Sequence, residues 1–178
     1  MTKKLQLYSL DRIKNIYGDE KLQEMINAFE CKRNKEIERF VMYGEMENSH
    51  DLCDNNRVVS YFILDYDDKF LGLFSLFIKA FPFNDQKPKE STPVFYIPCL
   101  ARHDKVLSNE LNINEILDLA FGILYNVRKT IGGISTVMVD TDVEVVKNLY
   151  IEKYRFNEIC NPNNDTFLLV KELSDVIP

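Results

Sequence analysis

A chain of 178 residues, 46% hydrophobic, is long enough to bury a full core and reads as one globular domain over residues 1–178. Lys and Arg number 22 against 28 Asp and Glu, a formal charge of −6, which argues against nonspecific binding to nucleic acid or an anionic membrane, since both need a positive field. No stretch approaches the roughly 20 apolar residues of a membrane span and the start MTKKLQLYSL has no signal-peptide core, so the expected setting is cytoplasmic, with no membrane partner.

In chain order, LQLYSL (Leu5–Leu10) can form a short first strand. Asp19 to Phe29 sets Leu22, Met25, Ile26 and Phe29 at helical spacing, and Lys32 to Met46 repeats the pattern with Ile37, Phe40, Val41 and Gly44. NSHDLCDNN (Asn48–Asn56) is a polar loop. VVSYFIL (Val58–Leu64) and FLGLFSLFI (Phe70–Ile78) are β-rich, and the short acidic turn Asp65–Lys69 between them signals a hairpin. FPFNDQKPKESTP (Phe81–Pro93) is a surface loop rather than a domain linker.

VFYIPCLA (Val94–Ala101) is the next strand, followed by a polar crossing, RHDKVLSNELN (Arg102–Asn112). Asn112 with Glu115 resembles a capping box, opening a helix whose apolar stripe runs through Ile113, Ile116, Leu117, Ala120, Leu124 and Val127. Arg128 and Lys129 suit its C-terminal dipole, and Gly132 is the expected stop. GISTVMVD (Gly133–Asp140) is a strand. Thr141 with Glu144 gives a second capping-box pattern for a helix through Tyr154, with Val146, Leu149, Tyr150 and Lys153 on one face, and TFLLVKEL (Thr166–Leu173) closes as a strand. Helices, a hairpin, then alternating strands and helices make an α/β or α+β domain around a mixed sheet.

Cys31, Cys53, Cys99 and Cys160 are scattered singly, and His50 with Cys53 supplies too few ligands for zinc, so no metal is expected. Cys99, within an apolar strand, reads as a small buried hydrophobe rather than the nucleophile of a pair with His103. The chemically suggestive place is the crossing after Ala101. A strand opening onto a helix start presents unpaired N–H groups and a favourable dipole to a phosphate.

Three stretches carry a resemblance to a known family: FECKRNKEIERFV (Phe29–Val41), YIPCLA (Tyr96–Ala101) and IGGISTVMVDTDVEVVKNLYIEKYRF (Ile131–Phe156). They resemble the GNAT superfamily of acyl-CoA-dependent N-acyltransferases, in order and spacing, from about Phe29 to Leu173. The first is similar to a toxin-like branch in which a Phe-x-Cys segment precedes the hairpin. The second resembles the central strand, and the third the strand, Asp and short helix leading to a Phe-Tyr-x-x-x-Gly-Phe ending. The resemblance implies a GNAT-like mixed, mostly antiparallel sheet flanked by helices, with acetyl-CoA as co-substrate. In that family the central strand splays from its neighbour and its exposed backbone pairs with pantetheine. By position Leu100, Ala101 and Arg102 would touch the pantetheine arm, and Ser108, Asn109, Glu110, Leu111, Asn112 and Ile113 would form the pyrophosphate loop.

The chain also departs from the family. The family loop is Gln/Arg-x-x-Gly-x-Gly/Ala, whereas VLSNELNI has no glycine and carries Glu110. A carboxylate beside pyrophosphate repels by about 1 kcal/mol even in a water-like dielectric, and side chains limit backbone approach. At the ending, Tyr150 falls at the Phe position, Ile151 at the Tyr position and Arg155 at the Gly position. Tyr150 is therefore the candidate general acid for the leaving thiolate, although a one-residue shift turns a helical side chain by about 100°. Tyr154 is a weaker substitute, and no carboxylate stands out as general base.

The resemblance thus implies an N-acetyltransferase moving an acetyl group from acetyl-CoA to a primary amine, with backbone N–H groups near Pro98–Ala101 polarising the thioester. The acidic balance argues against an RNA acceptor. The alternative is a catalytically degenerate GNAT-like domain that binds CoA or a protein partner, its own dimer included, with the Phe-rich hairpin (Phe70, Phe74, Phe77, Phe81, Phe83) able to supply an interface, although strand alternation is expected to turn more than half of these toward the core. A nucleotide-binding domain without transfer is a third reading.

Overall fold

In the computed structural model, residues 5–32, 34–39, 41, 58–83, 91–159 and 166–173 are described. They form β1 (Gln6–Ser9), α1 (Leu10–Ala28), α2 (Lys35–Arg39), β2 (Val58–Leu64), β3 (Phe70–Phe81), β4 (Thr92–Arg102), α3 (Ile113–Ile131), β5 (Thr136–Thr141), α4 (Glu144–Tyr154), β6 (Asn157–Ile159) and β7 (Phe167–Glu172). The strands make a seven-stranded sheet in the order β1-β2-β3-β4-β5-β7-β6. The pairs β1–β2, β5–β7 and β6–β7 are antiparallel, while β4–β5 is parallel. This is the expected mixed, mostly antiparallel sheet with helices.

The chain divides into two compact units, Met1–Leu76 with Cys99–Phe121, and Phe77–Pro98 with Gly122–Pro178. In the first unit, α1 begins at Leu10 rather than at the expected Asp19. Ser9 caps it, its hydroxyl accepting the Arg12 N–H at 3.4 Å, and Ile13 from this added stretch is fully buried. Gly18, at φ 83° and ψ 170°, interrupts the helix, which explains why the periodicity of the later turns alone is legible. The core collects Ile13, Leu22, Met25, Ile26 and Phe29 against Phe62, Leu64, Leu73, Cys99 and Ala101. The expected helix from Lys32 is realised as the single turn and a half of α2, beginning where the Asn34 side chain accepts the Ile37 N–H at 3.1 Å. Residues 42–57, including the expected helical end and His50 and Cys53, lie outside the described residues, as do residues 84–90 of the loop before β4 and Cys160.

The β2–β3 hairpin forms as the sequence reading expects. The Asp65 carboxylate accepts N–H groups of Asp67 and Lys69, both at 2.9 Å, and closes the turn. Of the hairpin aromatics, Phe70 and Phe74 are buried in the core and only Phe83 is largely exposed. Burial of Phe70 and Phe74 agrees with the expectation that part of this set packs inward, in a stretch of β3 buried on both faces.

In the second unit, Val94, Met138 and Leu168 form a small core with Phe81, Tyr96, Ile159 and Val170 packed on it. The Leu173 N–H reaches the Ser135 carbonyl at 2.6 Å, and the Leu173 carbonyl accepts from Arg128. Gly132, at φ 64°, stops α3 as expected, its N–H on the Arg128 carbonyl at 2.8 Å. The second capping box does not form. Thr141 Oγ1 accepts the Val143 N–H at 3.1 Å, one residue short of the Glu144 N–H that a capping box needs, so α4 starts at Glu144 with Val143 as an uncapped N-cap. No described helix is long and apolar enough to cross a membrane.

Candidate functional site

The end of β4 is set by a close approach within the first unit. A Cβ on Gly72 would meet the Ala101 carbonyl oxygen at 2.6 Å, Leu111 Cδ2 at 3.0 Å and the Arg102 Cα at 3.2 Å. Glycine near the start of β3 thus lets the last residues of β4 and the start of the crossing pack on its backbone. Ala101 is buried, and Leu100 and Arg102 are half-buried. The Arg102 guanidinium donates to the Leu111 carbonyl at 3.1 Å, across the crossing, and the His103 N–H donates to the Leu71 carbonyl at 2.9 Å.

The crossing is internally bonded. Glu110 folds back so that its carboxylate accepts the Leu107 N–H at 2.7 Å and pairs with Lys69 Nζ at 2.5 Å. The Lys69 ammonium, and after it the Leu107 N–H, hold the Glu110 carboxyl below the usual carboxylate range. The repulsion expected from Glu110 toward phosphate is therefore offset by a cation from the hairpin turn. Ser108 and Asn109 are exposed, whereas Leu111 is fully buried, so its side chain anchors the loop.

The capping box at α3 is formed in full. Asn112 Oδ1 accepts the N–H groups of Asn114 and Glu115, both at 3.0 Å, and the Glu115 carboxylate accepts the Asn112 N–H at 2.7 Å. The N–H groups that would meet a pyrophosphate at this helix start are thus held by the chain's own side chains, and a phosphate must compete with them.

Immediately beside β4, the Phe-x-Cys segment is tied to the crossing. The Asp104 N–H donates to the Glu30 carbonyl at 2.9 Å, the Lys32 N–H to the Asp104 carboxylate at 2.6 Å, and Lys105 pairs with Glu30 at 2.5 Å. His103 is buried against Phe29 and Phe70, its Nδ1 accepting the Lys105 N–H at 3.2 Å. Burial, and then the nearby Lys105 charge, push its pKa down, so it is a neutral packing residue here. Cys99 is buried in the core, as expected of a small hydrophobe.

In the second unit, β4 and β5 pair over Phe95↔Val137 and Tyr96↔Met138, although β4 runs on to Arg102 and β5 to Thr141. The ladder ends two residues before Pro98, which has no N–H to offer a neighbouring strand. Where the pairing ends, the Tyr96 hydroxyl donates to the Asp140 carboxylate at 2.6 Å. Burial, and next the Asp140 hydrogen bond, raise the Tyr96 pKa, so the phenol stays protonated.

Tyr150 is buried, its ring in edge contact with Phe156 at 5.3 Å and near Tyr154 at 6.4 Å. Arg155 ends α4 in the left-handed conformation, at φ 60° and ψ 38°, and the Phe156 N–H closes the helix on the Tyr150 carbonyl at 3.1 Å. That is the position where the resemblance has glycine, and the backbone shows why a glycine would suit it.

Of the residues expected at the site, Leu100, Ala101, Arg102 and Ser108 to Ile113 gather at the end of β4 and the start of α3, within one unit. Tyr150 belongs to the second unit and packs in its interior. The sequence reading missed Gly72, Lys69, Tyr96 and Asp140. A glycine inside an apolar strand is a signal for close backbone approach, and a proline inside a central strand is a signal that its ladder breaks. Lys69 and Asp140 carry no local signal, because their partners are distant in sequence. Among the described residues no group of His, Cys, Asp and Glu is arranged to hold a metal ion.

No family model and no curated protein sequence matches the chain. Solved structures do match. A complex of KacTA with DNA aligns at TM-score 0.68 and 16% identity, covering 96% of this chain and 94% of that one. A mutant AtaT toxin bound to acetyl-CoA and the C-terminus of the antitoxin AtaR aligns at 0.66 and 13%, over 93% and 92%. AtaT complexed with acetyl-methionyl-tRNAfMet aligns at 0.65 and 14%, over 93% and 94%. Two of these structures hold nucleic acid, one DNA and one tRNA, so they give no support to the expectation, drawn from net charge, that nucleic acid is not a partner. At such identities the likeness establishes the fold: this chain has the GNAT fold that its sequence resembles.

Proposed function

We propose that the protein is a cytoplasmic N-acetyltransferase, a single GNAT-like domain that transfers an acetyl group from acetyl-CoA to a primary amine. The observation that carries this reading is the release of β4 from β5 after Tyr96↔Met138, in a fold shared with a toxin bound to acetyl-CoA. A strand edge freed in this way can pair with the amides of pantetheine, with Leu100, Ala101 and Arg102 as the edge. Ser108 to Ile113 then meet the pyrophosphate, aided by Arg102 and Lys69 in place of glycine N–H groups. Tyr150 is the candidate general acid for the thiolate, although its packing on Phe156 favours a structural role. Since one neighbour holds an acetylated aminoacyl-tRNA, aminoacyl-tRNA belongs among the acceptors tested first.

The test has two stages. Acetyl-CoA at 100 times its dissociation constant should stabilise the protein by about 2.7 kcal/mol against unfolding. CoA release should then follow when methionyl-tRNA, a methionine-initiated peptide, a lysine peptide or a diamine is added. No stabilisation at millimolar acetyl-CoA removes the enzyme reading. The completed capping box favours a second reading, a GNAT-like domain without turnover that serves a protein partner or its own dimer. Stabilisation without acetyl transfer to any acceptor would point to that reading in its CoA-binding form.

A further inference from the structure

In the first unit, the crossing from β4 to α3 bonds to itself the donors that a phosphate would need. The first N–H groups of a helix have no partner within it, which is what opens such a place to an anion. Here the Asn112 N–H is taken by Glu115, the Asn114 and Glu115 N–H groups by the Asn112 side chain, and the Ile116 N–H by the Asn112 carbonyl. Upstream, the Glu110 carboxylate takes the Leu107 N–H, and the Leu107 carbonyl takes those of Glu110 and Leu111. A phosphate that uses any of these groups first breaks a bond already made. Two of those bonds are to carboxylates, so little of the new contact's strength remains as affinity.

The charges at this end are committed in the same way. Lys69 Nζ lies 2.5 Å from a Glu110 oxygen, Lys105 Nζ lies 2.5 Å from a Glu30 oxygen, and the Arg102 guanidinium donates to the Leu111 carbonyl at 3.1 Å. Lys69 leaves a turn that also carries Asp65, Asp67 and Asp68. Asp65 is bonded to N–H groups of the turn, and Asp68 accepts the Tyr17 hydroxyl. Each of these cations must leave a carboxylate or a carbonyl before it can face a phosphate. The strand end Leu100–Arg102 is different. It is fixed by the Gly72 contact and by the His103 N–H on the Leu71 carbonyl at 2.9 Å, and backbone pairing with amides asks for no charge.

We propose that the donor is recognised through its acylated pantetheine arm and that the nucleotide half of CoA adds almost no affinity. This rests on the acetyltransferase reading above and names its donor class: a thioester of pantetheine, with or without the phosphates and adenosine. The pyrophosphate lies along Ser108–Ile113, as in that reading, and its contacts replace bonds of similar strength that the free protein already makes. Lys69 and Glu110 act as a neutral pair, which neither draws the phosphates in nor drives them off.

The experiment titrates the protein by calorimetry, at low and high salt, with acetyl-CoA, acetyl-phosphopantetheine, acetyl-pantetheine and adenosine bisphosphate. The thioesters should bind wild type within about threefold of one another and with little salt dependence, since there is no net attraction to screen. Adenosine bisphosphate alone should not bind at millimolar concentration. In Glu110→Gln, Lys69 and the Leu107 N–H are released, so acetyl-CoA should become severalfold tighter than acetyl-pantetheine, a gap that closes at high salt. A wild type that holds acetyl-CoA about tenfold or more tighter than acetyl-pantetheine overturns the inference and leaves the acetyltransferase reading standing. A Glu110→Gln protein with the wild-type ratio overturns it too, because the Glu110–Lys69 pair would then not be what cancels the phosphates. A wild type that binds none of the thioesters removes both readings together.

Discussion

Gly72 and Ala101 are in backbone contact: a side-chain carbon on Gly72 would come within 2.6 Å of the Ala101 carbonyl oxygen. The atom in the way is backbone, fixed in the sheet, so it cannot swing aside as the tip of a long side chain would. Gly72→Ala should therefore displace the end of β4. It should lower stability by about 1–3 kcal/mol, in the range of overpacking, and reduce acetyl-CoA stabilisation further than the folding loss explains. Denaturant unfolding with and without acetyl-CoA separates the two effects.

Arg155 holds a left-handed backbone at φ 60°, a conformation that an L side chain disfavours by about 1–2 kcal/mol. Arg155→Gly should raise stability by up to about 1 kcal/mol, because glycine relieves the strain but adds freedom to the unfolded chain. A melting temperature higher by about 2–4 °C is expected. A lower one would mean that the Arg155 side chain contributes more than its backbone loses.

Glu110 answers Lys69 in the free protein, and an incoming phosphate would compete for the same ammonium. Glu110→Gln removes a charge from beside the candidate pyrophosphate loop. Acetyl-CoA should bind severalfold tighter, because Lys69 is then released from Glu110 to face the phosphate. Lys69→Met should weaken binding by a similar factor. Titration calorimetry at low and high salt checks both, since the difference should shrink as salt screens the charges.

His103 is neutral and buried, with its pKa pushed down by burial first and by Lys105 next. A depressed pKa makes the native state the weaker proton binder. The contribution is then present above the unfolded pKa, about 6.5 for histidine, and lost as pH falls below it. Chemical denaturation at pH 7.5 and pH 5.5 should show wild type losing more stability on acidification than His103→Gln. Equal losses would place the titrating group elsewhere.

Tyr17 behaves in the opposite sense. Its hydroxyl donates to Asp68 at 2.6 Å, which lifts its pKa to about 12. A raised pKa gives a contribution present below the unfolded value of about 10 and lost as pH rises toward 12. Tyr17→Phe should flatten the alkaline limb of stability, a small effect because the pair is open to solvent. Spectroscopic titration of tyrosinate in wild type and mutant measures it.

Much of this protein was determined locally, by its sequence. The β-rich runs VVSYFIL and FLGLFSLFI and the acidic turn between them suffice for the hairpin, because strand propensity and turn chemistry act within a few residues. Asn112 and Glu115 suffice for the start of α3, since a capping box closes over one helical turn, and the ordered stretches from Phe29 to Phe156 suffice for the GNAT resemblance. The kink at Gly18 hid the first half of α1, and the early Thr141 bond displaced the start of α4, because in each place one backbone choice overrides the periodic pattern. Only the tertiary structure decided how Lys69 neutralises Glu110, why residue 72 must lack a side chain, and how Tyr96 meets Asp140. These partners lie 41, 29 and 44 positions apart in the chain. No local rule links them; they meet because the sheet brings distant strands into register, and charge, close packing and hydrogen bonding then act between whichever residues that register makes neighbours.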